Sequence, residues 1–238
     1  MNQQDEAKKC AARRALDEFV VDGMKLGLGS GTTSHFFVRA LGAKVRDGLN
    51  ITAAATSSAT TAVARQVGIA VTDLNDIGEL DLTVDGPDEI DRRFRMLKGG
   101  GACLLWEKIV AAASRKMITI CDESKIVESL GKFPLPVEVV RFGWQHTRHA
   151  IGRKLDEHGI EACGIQIRKA GGAPVVTDSC HFILDCRCGK IPDPEKLEAE
   201  LNTIPGVVEN GLFTRQSDGM VVGYFDGASH VAMRRRGG

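Results

Sequence analysis

The sequence predicts an α/β protein: a Rossmann-like domain on a mostly parallel sheet, joined to a smaller α+β domain of ferredoxin-like type. Short apolar strands alternate with helical segments from Met24 to Cys121, and glycine- or charge-rich turns follow the strands. Such alternation implies a parallel sheet covered on both faces. Beyond Lys125 the pattern changes. A two-proline stretch precedes segments in the order βαββαβ, which suits a split-βαβ unit. The expected division is residues 1–130 with 211–238 for the Rossmann-like domain and 131–210 for the ferredoxin-like one.

Each element has a local reason. Residues 4–20 place Ala7, Ala11, Ala15 and Phe19 at helical spacing among charges, which is an amphipathic helix. Met24–Leu28 is a strand stopped by Gly29-Ser30-Gly31-Thr32-Thr33, and Ser34–Leu41 is apolar at helical spacing. Asn50–Ala55 reads as a second strand and Ser57–Val67 as a second helix of the alternation. Ile69–Leu74 and Leu80–Val84 read as the third and fourth strands, Gly101–Ser114 as a helix and Lys116–Cys121 as the fifth strand. Gly131–Pro136 reads as a linker. After it come a strand (Val137–Val140), a helix (Trp144–His158) and a strand (Ala162–Arg168). Strands at Val175–Thr177 and Phe182–Cys186, a helix at Pro194–Thr203 and a strand from Val207 follow. The segment from Gly211 to Val231 could return to the first domain, and Arg234 to Gly238 is a short basic end that reads as a frayed terminus.

Charge and composition exclude several classes of function. The 238 residues carry 31 Lys and Arg against 31 Asp and Glu, so there is no positive excess for general nucleic-acid binding. At 43% hydrophobic residues the chain is not disordered. No apolar run approaches ~18 residues, so no membrane span is expected. The polar start, from Met1 to Phe19, lacks the apolar core of a signal peptide, and the seven cysteines contain no CxxC pair. A cytoplasmic protein with reduced thiols is the simplest expectation.

Four turns can carry chemistry. Gly27 to Thr33 offers backbone amides at a helix start, with hydroxyls on Ser30, Thr32 and Thr33. It suits either an anion or a tight capped turn, and it is neither a Walker loop nor a full dinucleotide fingerprint. Asp85-Gly86-Pro87-Asp88 follows an apolar strand, at the sheet edge where open α/β proteins bind ligands. Its aspartates could order hydroxyls, share protons, hold a divalent metal or simply form an acidic turn. From Asp73 through Asp91 there are eight acids and no Lys or Arg. Lys98-Gly99-Gly100-Gly101 exposes a run of amides beside a cation, suited to an oxyanion, and Glu107 follows on a helix. Glu107 reads either as a general base with its pKa raised by desolvation or as an ordinary helix-surface partner. Lys125 follows another strand and reads as solvated or as a phosphate contact. His146 and His149 share a helix face without an accompanying acidic motif, and His181 lies near Cys180, Cys186 and Cys188, where a metal-thiol site is the minor reading.

Together these motifs resemble the type A family of ribose-5-phosphate isomerase. The resemblance rests on Gly27 to Thr33, Asp85 to Ile90, Lys98 to Gly101 with Glu107-Lys108-Ile109, and Asp122 to Lys125. Phe133 to Val139 and Pro205 to Phe213 complete it, in family order from about residue 4 to 226. It implies an aldose–ketose isomerase acting on a pentose phosphate through an enediolate. Glu107 would shuttle the proton, Lys98 with the amides of Gly99 to Gly101 would steady the enediolate oxygen, and Asp85 with Asp88 would hold sugar hydroxyls. Asp85 would also assist ring opening. Ser30, Gly31, Thr32, Thr33, Gly86, Pro87 and Lys125 would bind substrate, with Lys8 a further phosphate contact. The resemblance implies no metal, no organic cofactor, no nucleic-acid partner, and a homodimer or dimer of dimers. Three departures stand out. Pro87 replaces an alanine, Arg141 replaces a proline, and Trp106 replaces a basic residue. A Trp106 ring packed on Glu107 would raise its pKa by desolvation. Rival readings are a sugar-phosphate-binding regulator, and an amino-sugar-phosphate deaminase or coenzyme A transferase on the same scaffold.

Overall fold

The computed structural model describes residues 2–235; Met1 and the Arg236-Gly237-Gly238 part of the basic end lie outside the described residues. The chain forms two compact units. The first comprises residues up to Pro87, Trp106–Ile126 and the segment from Gln216 onward, and the second comprises Asp88–Leu105 and Val127–Arg215.

The first unit begins with α1 (Gln3–Phe19), capped by the Asn2 side chain, which accepts from the Asp5 amide at 2.8 Å. Then follow β1 (Lys25–Leu28), α2 (Gly31–Arg46), β2 (Thr52–Ala55), α3 (Ser58–Gln66), α4 (Leu74–Ile77) and β3 (Leu82–Asp85). The chain passes through β4 (Glu89–Asp91) and β5 (Met96–Leu97) of the second unit before α5 (Leu104–Ala112) and β6 (Met117–Asp122).

The sheet order of the first unit is β2-β1-β3-β6, extended by two late strands, Gly219–Gly223 beside β6 and Ser229–Met233 at the edge. All neighbours are parallel except that last antiparallel pair. Helices α1, α2 and α3 cover one face, where Ala11, Ala15, Phe37, Leu41 and Ala64 pack on Leu26, Leu28, Val84 and Ile120. On the other face Ile77 of α4 and Val110 of α5 pack with Ala54 and Leu80.

The predicted third strand at Ile69–Leu74 is corrected to a single parallel bridge between Val71 and Ala53. Asp73 caps the Asn75 amide at 2.9 Å and turns the chain into α4 before a ladder can form. The helices predicted at Ser34–Leu41 and Gly101–Ser114 are longer and shorter respectively, because α2 begins at Gly31 and the triple glycine lies outside α5.

The second unit continues from β7 (Ile126–Val127) through β8 (Leu135–Val139), α6 (Trp144–Glu157) and β9 (Gly164–Ile167). A hairpin of β10 (Lys169–Ala170) and β11 (Ala173–Pro174) precedes β12 (Phe182–Arg187), α7 (Pro194–Leu201), β13 (Val207–Asn210) and β14 (Leu212–Phe213). The late strands of the first unit are β15 (Gly219–Gly223) and β16 (Ser229–Met233).

The four-stranded sheet has the order β13-β8-β12-β9 with every pair antiparallel, the arrangement of a ferredoxin-like fold. Val137, Leu184, Ile151, Leu155, Leu197 and Leu201 fill its core. The Gly131–Pro136 linker is in part a strand, since β8 starts at Leu135. Its remainder is held by the buried Glu89 carboxylate, which accepts from the amides of Gly131 at 2.7 Å and Phe133 at 2.6 Å. The strand expected at Val175–Thr177 is displaced to β11, leaving a lone bridge from Val176 to Phe182. Among the described residues no helix is long and apolar enough to cross a membrane.

Candidate active site

In the first unit the strand order reverses between β1 and β3, since β1 continues to β2 on one side and pairs with β3 on the other. Ligands of open α/β sheets bind outside the strand C-termini at such a point. Here it carries Gly29 to Thr33 after β1 and Asp85 at the end of β3.

Asp85 is fully buried. Its Oδ1 accepts from the Ser30 amide at 3.0 Å, the Ser34 hydroxyl at 3.0 Å and the Gly86 amide at 2.7 Å. The loop can pass this close because residue 29 is glycine. A Cβ there would lie 2.1 Å from Asp85 Oδ1 and 2.6 Å from its Cα. The Ser30 hydroxyl turns the other way, lying 2.7 Å from those of Thr56 and Ser57 and 3.0 Å from that of Thr60. Gly31 and Thr32 are exposed and Thr33 is half-buried, in the first turn of α2, where backbone amides have no intrahelical acceptor. His35 lies 3.4 Å from the Thr60 hydroxyl. Burial pushes this imidazole below its ordinary value, Arg39 adds to that, and Asp85 opposes it.

Glu107 reaches the same edge of the sheet by the polarity of its helix. The C-terminal end of α5 is tied to the start of β3, because Leu80 donates to Ala113 O at 2.8 Å and accepts from the Arg115 amide at 2.9 Å. So α5 runs antiparallel to β3, and its first turn, which carries Glu107, points to the strands' C-terminal ends. Glu107 lies three residues before Val110, on the face that packs on the sheet, and is 5% exposed. Trp106 lines a cleft of about 560 Å3 with Ile109, Leu74, Arg65 and Asp73.

Lys125 is half-buried in a single 3-10 turn after β6. Burial pushes the neighbouring Cys121 thiol up to about 12, with Asp122 adding and Lys125 opposing. Lys8 is half-buried on α1, whose Gln4 donates to Asp122 at 3.4 Å and whose N-terminal part therefore lies at the β6 C-terminus.

The second unit carries Asp88 and the triple-glycine loop. The Asp88 amide donates to Leu97 O at 2.8 Å, and its Oδ2 accepts from the Gly100 amide at 2.7 Å. A Cβ on Gly100 would lie 2.6 Å from Asp88 Oδ1, so this contact too requires glycine. Lys98 is 1% exposed, its amide donates to Gly211 O at 2.8 Å, and its Nζ lies 5.6 Å from the Phe213 ring centroid. A buried cation of this kind gains from the negative face of an aromatic ring.

Arg168 escaped the sequence reading. Its Nη1 donates to Gly99 O at 2.7 Å and Gly100 O at 3.0 Å, while Nε and Nη2 grip the Asp185 carboxylate at 2.9 and 2.5 Å. With two carbonyls fixed on the guanidinium, the orientation of the loop's peptide groups is set. The acidic run is largely structural. Arg115 pairs with Glu79 and Asp81, Arg95 pairs with Asp91, and Glu89 holds the Gly131 turn. His181 faces the Glu138 carboxylate at 3.0 Å, and Arg141 lies 5.1 Å over the Phe182 ring.

The family model for ribose 5-phosphate isomerase A (phosphoriboisomerase A) matches residues 52–227. The chain belongs to this family. Ribose-5-phosphate isomerase A 2 of Yersinia pseudotuberculosis is 64% identical over 234 residues, covering 98% of this chain and 99% of the relative. Ribose-5-phosphate isomerase A of Parvibaculum lavamentivorans is 54% identical over 88% of this chain and 90% of its own. Among solved structures, ribose 5-phosphate isomerase from Plasmodium falciparum superposes with a TM-score of 0.92 at 30% identity, covering 97% and 99% of the two chains. A D-ribose-5-phosphate isomerase in complex with phospho-erythronic acid gives 0.90 at 36% identity, covering 98% and 100%.

Proposed function

We propose that this family member interconverts D-ribose 5-phosphate and D-ribulose 5-phosphate. The observation that carries the reading is the burial of three ionisable side chains the chemistry requires. Asp85 is 0%, Lys98 1% and Glu107 5% exposed. Asp, Lys and Glu are almost never so buried without a partner or a task, and such groups cluster at functional sites.

The Glu107 carboxylate removes the C2 proton of the open-chain aldose and returns it to C1. The C2 electron pair moves into a double bond to C1 and places negative charge on O1. Lys98 and the amides of Gly99 to Gly101 steady that oxygen. Donors of this type contribute about 2.7–4 kcal/mol each, and a positioned base about 10²–10⁴-fold. Asp85 and Asp88 hold hydroxyls, and Asp85 assists ring opening and the passage of the O2 proton to O1, which leaves the C2 carbonyl of the ketose. Gly86 and Pro87 shape the turn between them. The first turn of α2, from Ser30 to Thr33, binds the phosphate with Lys125 and Lys8. A relative binds phospho-erythronic acid, whose planar carboxylate has the two-oxygen outline of an enediolate; this supports the same assignment. Bond changes balance without an external electron acceptor, so the reaction itself demands no redox group. The enzyme works in the cytoplasm as a homodimer or dimer of dimers, which sedimentation velocity would test.

The deciding experiment is turnover of ribose 5-phosphate by chelator-treated protein, followed by the appearance of the ketose. Ketose formation is expected. Binding without turnover would overturn the reading in favour of a sugar-phosphate-sensing regulator.

A further inference from the structure

The edge strand of the second unit, β9, begins beside three cysteines. Cys163 immediately precedes β9, Cys186 lies within β12 and Cys188 just follows it. The ladder pairs Ile165 with Cys186 and Gly164 with Arg187, so its continuation sets Cys163 opposite Cys188. The two sulfur atoms are 4.0 Å apart. Both residues are half-buried at the rim of the core that contains Cys186. We propose that Cys163 and Cys188 form a reversible redox pair, closed to a disulfide by a peroxide and reopened by a dithiol.

Closing the pair requires the sulfurs to approach to about 2.05 Å. The backbone of Cys188 is held, since its amide donates to Cys186 O at 3.0 Å and its carbonyl accepts from the Lys190 amide at 2.7 Å. Cys163 lies outside the ladder and follows Ala162, which has a φ of 53°. The movement therefore falls on Cys163. Thiol hydrogen bonds from Cys186 and Cys188 hold Cys163 well below the ordinary thiol range, and the bond to Cys163, with burial, pushes Cys188 up. Its place outside the ladder, free of the backbone ties that hold Cys188, together with this direction assigns Cys163 as the attacking thiolate.

Its sulfur attacks one oxygen of hydrogen peroxide. The S–O bond forms, the O–O bond breaks, and the departing hydroxide takes a proton to become water. Cys188 sulfur then attacks the Cys163 sulfenic acid. The S–S bond forms, the S–O bond breaks, and the released hydroxide takes the Cys188 proton as a second water. Two sulfurs give up two electrons and the peroxide accepts both. Cys186 is fully buried in the core, so it is the less available partner. Arg168 and Asp185 both lie within the segment the disulfide would close, so the cross-link encircles the clamp on the triple-glycine loop.

The full reduced chain contains seven cysteines. Peroxide treatment followed by thiol counting in denaturant should give seven minus two, five, with the Cys163 and Cys188 peptides joined, and dithiothreitol should restore seven. Cys188→Ser should abolish the cross-link and leave a Cys163 sulfenic acid that dimedone traps. Cys186→Ala should leave the cross-link in place. A count that stays at seven, or a link made through Cys180 or Cys186 instead, overturns the proposal. Mapping on the parent protein decides this even where a variant folds poorly.

Discussion

Replacing Arg168 with lysine would test whether the triple-glycine loop works because it is held from behind. The guanidinium makes four hydrogen bonds, two to the carbonyls of Gly99 and Gly100 and two to Asp185. A lysine ammonium keeps the charge but has no planar fork, so it cannot make the paired Asp185 contact while reaching both carbonyls. Bonds to charged groups contribute about 1.5–3 kcal/mol each. The Arg168 side chain is only 15% exposed, so screening does not erase that value. Loss of one net bond therefore costs about 1.5–3 kcal/mol of stability. The kinetic effect should exceed what that loss explains. If the loop reorients and one oxyanion donor leaves line, the penalty is about 10²–10³-fold in kcat. The assay is steady-state isomerisation with a thermal melt on the same sample, where kcat falls and KM changes little. A variant that melts lower yet turns over within about threefold of the parent would refute the idea that Arg168 positions the loop, since a lost donor costs far more.

Other perturbations separate the remaining roles. Glu107→Gln should lower kcat by about 10²–10⁴-fold with an unchanged circular dichroism spectrum, and a loss under tenfold would move the base elsewhere. Gly29→Ala places a Cβ 2.1 Å from Asp85 Oδ1 and 2.6 Å from backbone. It should cost about 1–3 kcal/mol by overpacking and remove activity, whereas a parental melt with full turnover would contradict the close approach. Burial pushes the Glu138 carboxyl up, against the opposing hydrogen bonds of Thr177 and His181. An acid with a raised folded-state value stabilises the fold in acid, and that contribution is lost as pH rises through the raised value. Glu138→Gln should therefore gain relative to the parent in melts taken at increasing pH; a constant difference would show that this group does not titrate as described.

Much of the molecule was legible because short-range rules and tertiary packing agree. The strand, Gly-rich turn and helix at residues 24–46 follow from apolar runs broken by Gly29 and Gly31. The βαββαβ order of the second unit needed only periodicity. Asp85 was recognisable because it ends an apolar strand. The failures are places where distant contacts decide. Ile69–Leu74 has strand composition, but Asp73 draws the chain into α4. Strands β4, β5 and β14 are two or three residues long, too short for a period, and exist because they pair with each other. Arg168 looked like the end of a strand, since nothing in its neighbourhood foretells bonds to residues 68 and 69 positions earlier. The hydroxyl group of Ser30, Thr56, Ser57 and Thr60 likewise assembles only when β1 and β2 lie side by side.

The late return of β15 has a consequence for biosynthesis. β6 ends at Asp122 and its partner begins at Gly219, 97 positions later. On a translating ribosome adding about 5–20 residues per second, one flank of β6 waits about 5–20 s for its neighbour. During that interval a central strand is temporarily a margin, with six buried residues and unclaimed backbone donors and acceptors. The second unit's core elements, from Leu135 to Asn210, emerge within this window and can consolidate while the first unit is still short of its closing strands. Truncated products that stop before Gly219 would carry that bare flank permanently, and aggregation of such fragments is the price of a sheet finished by its last strands.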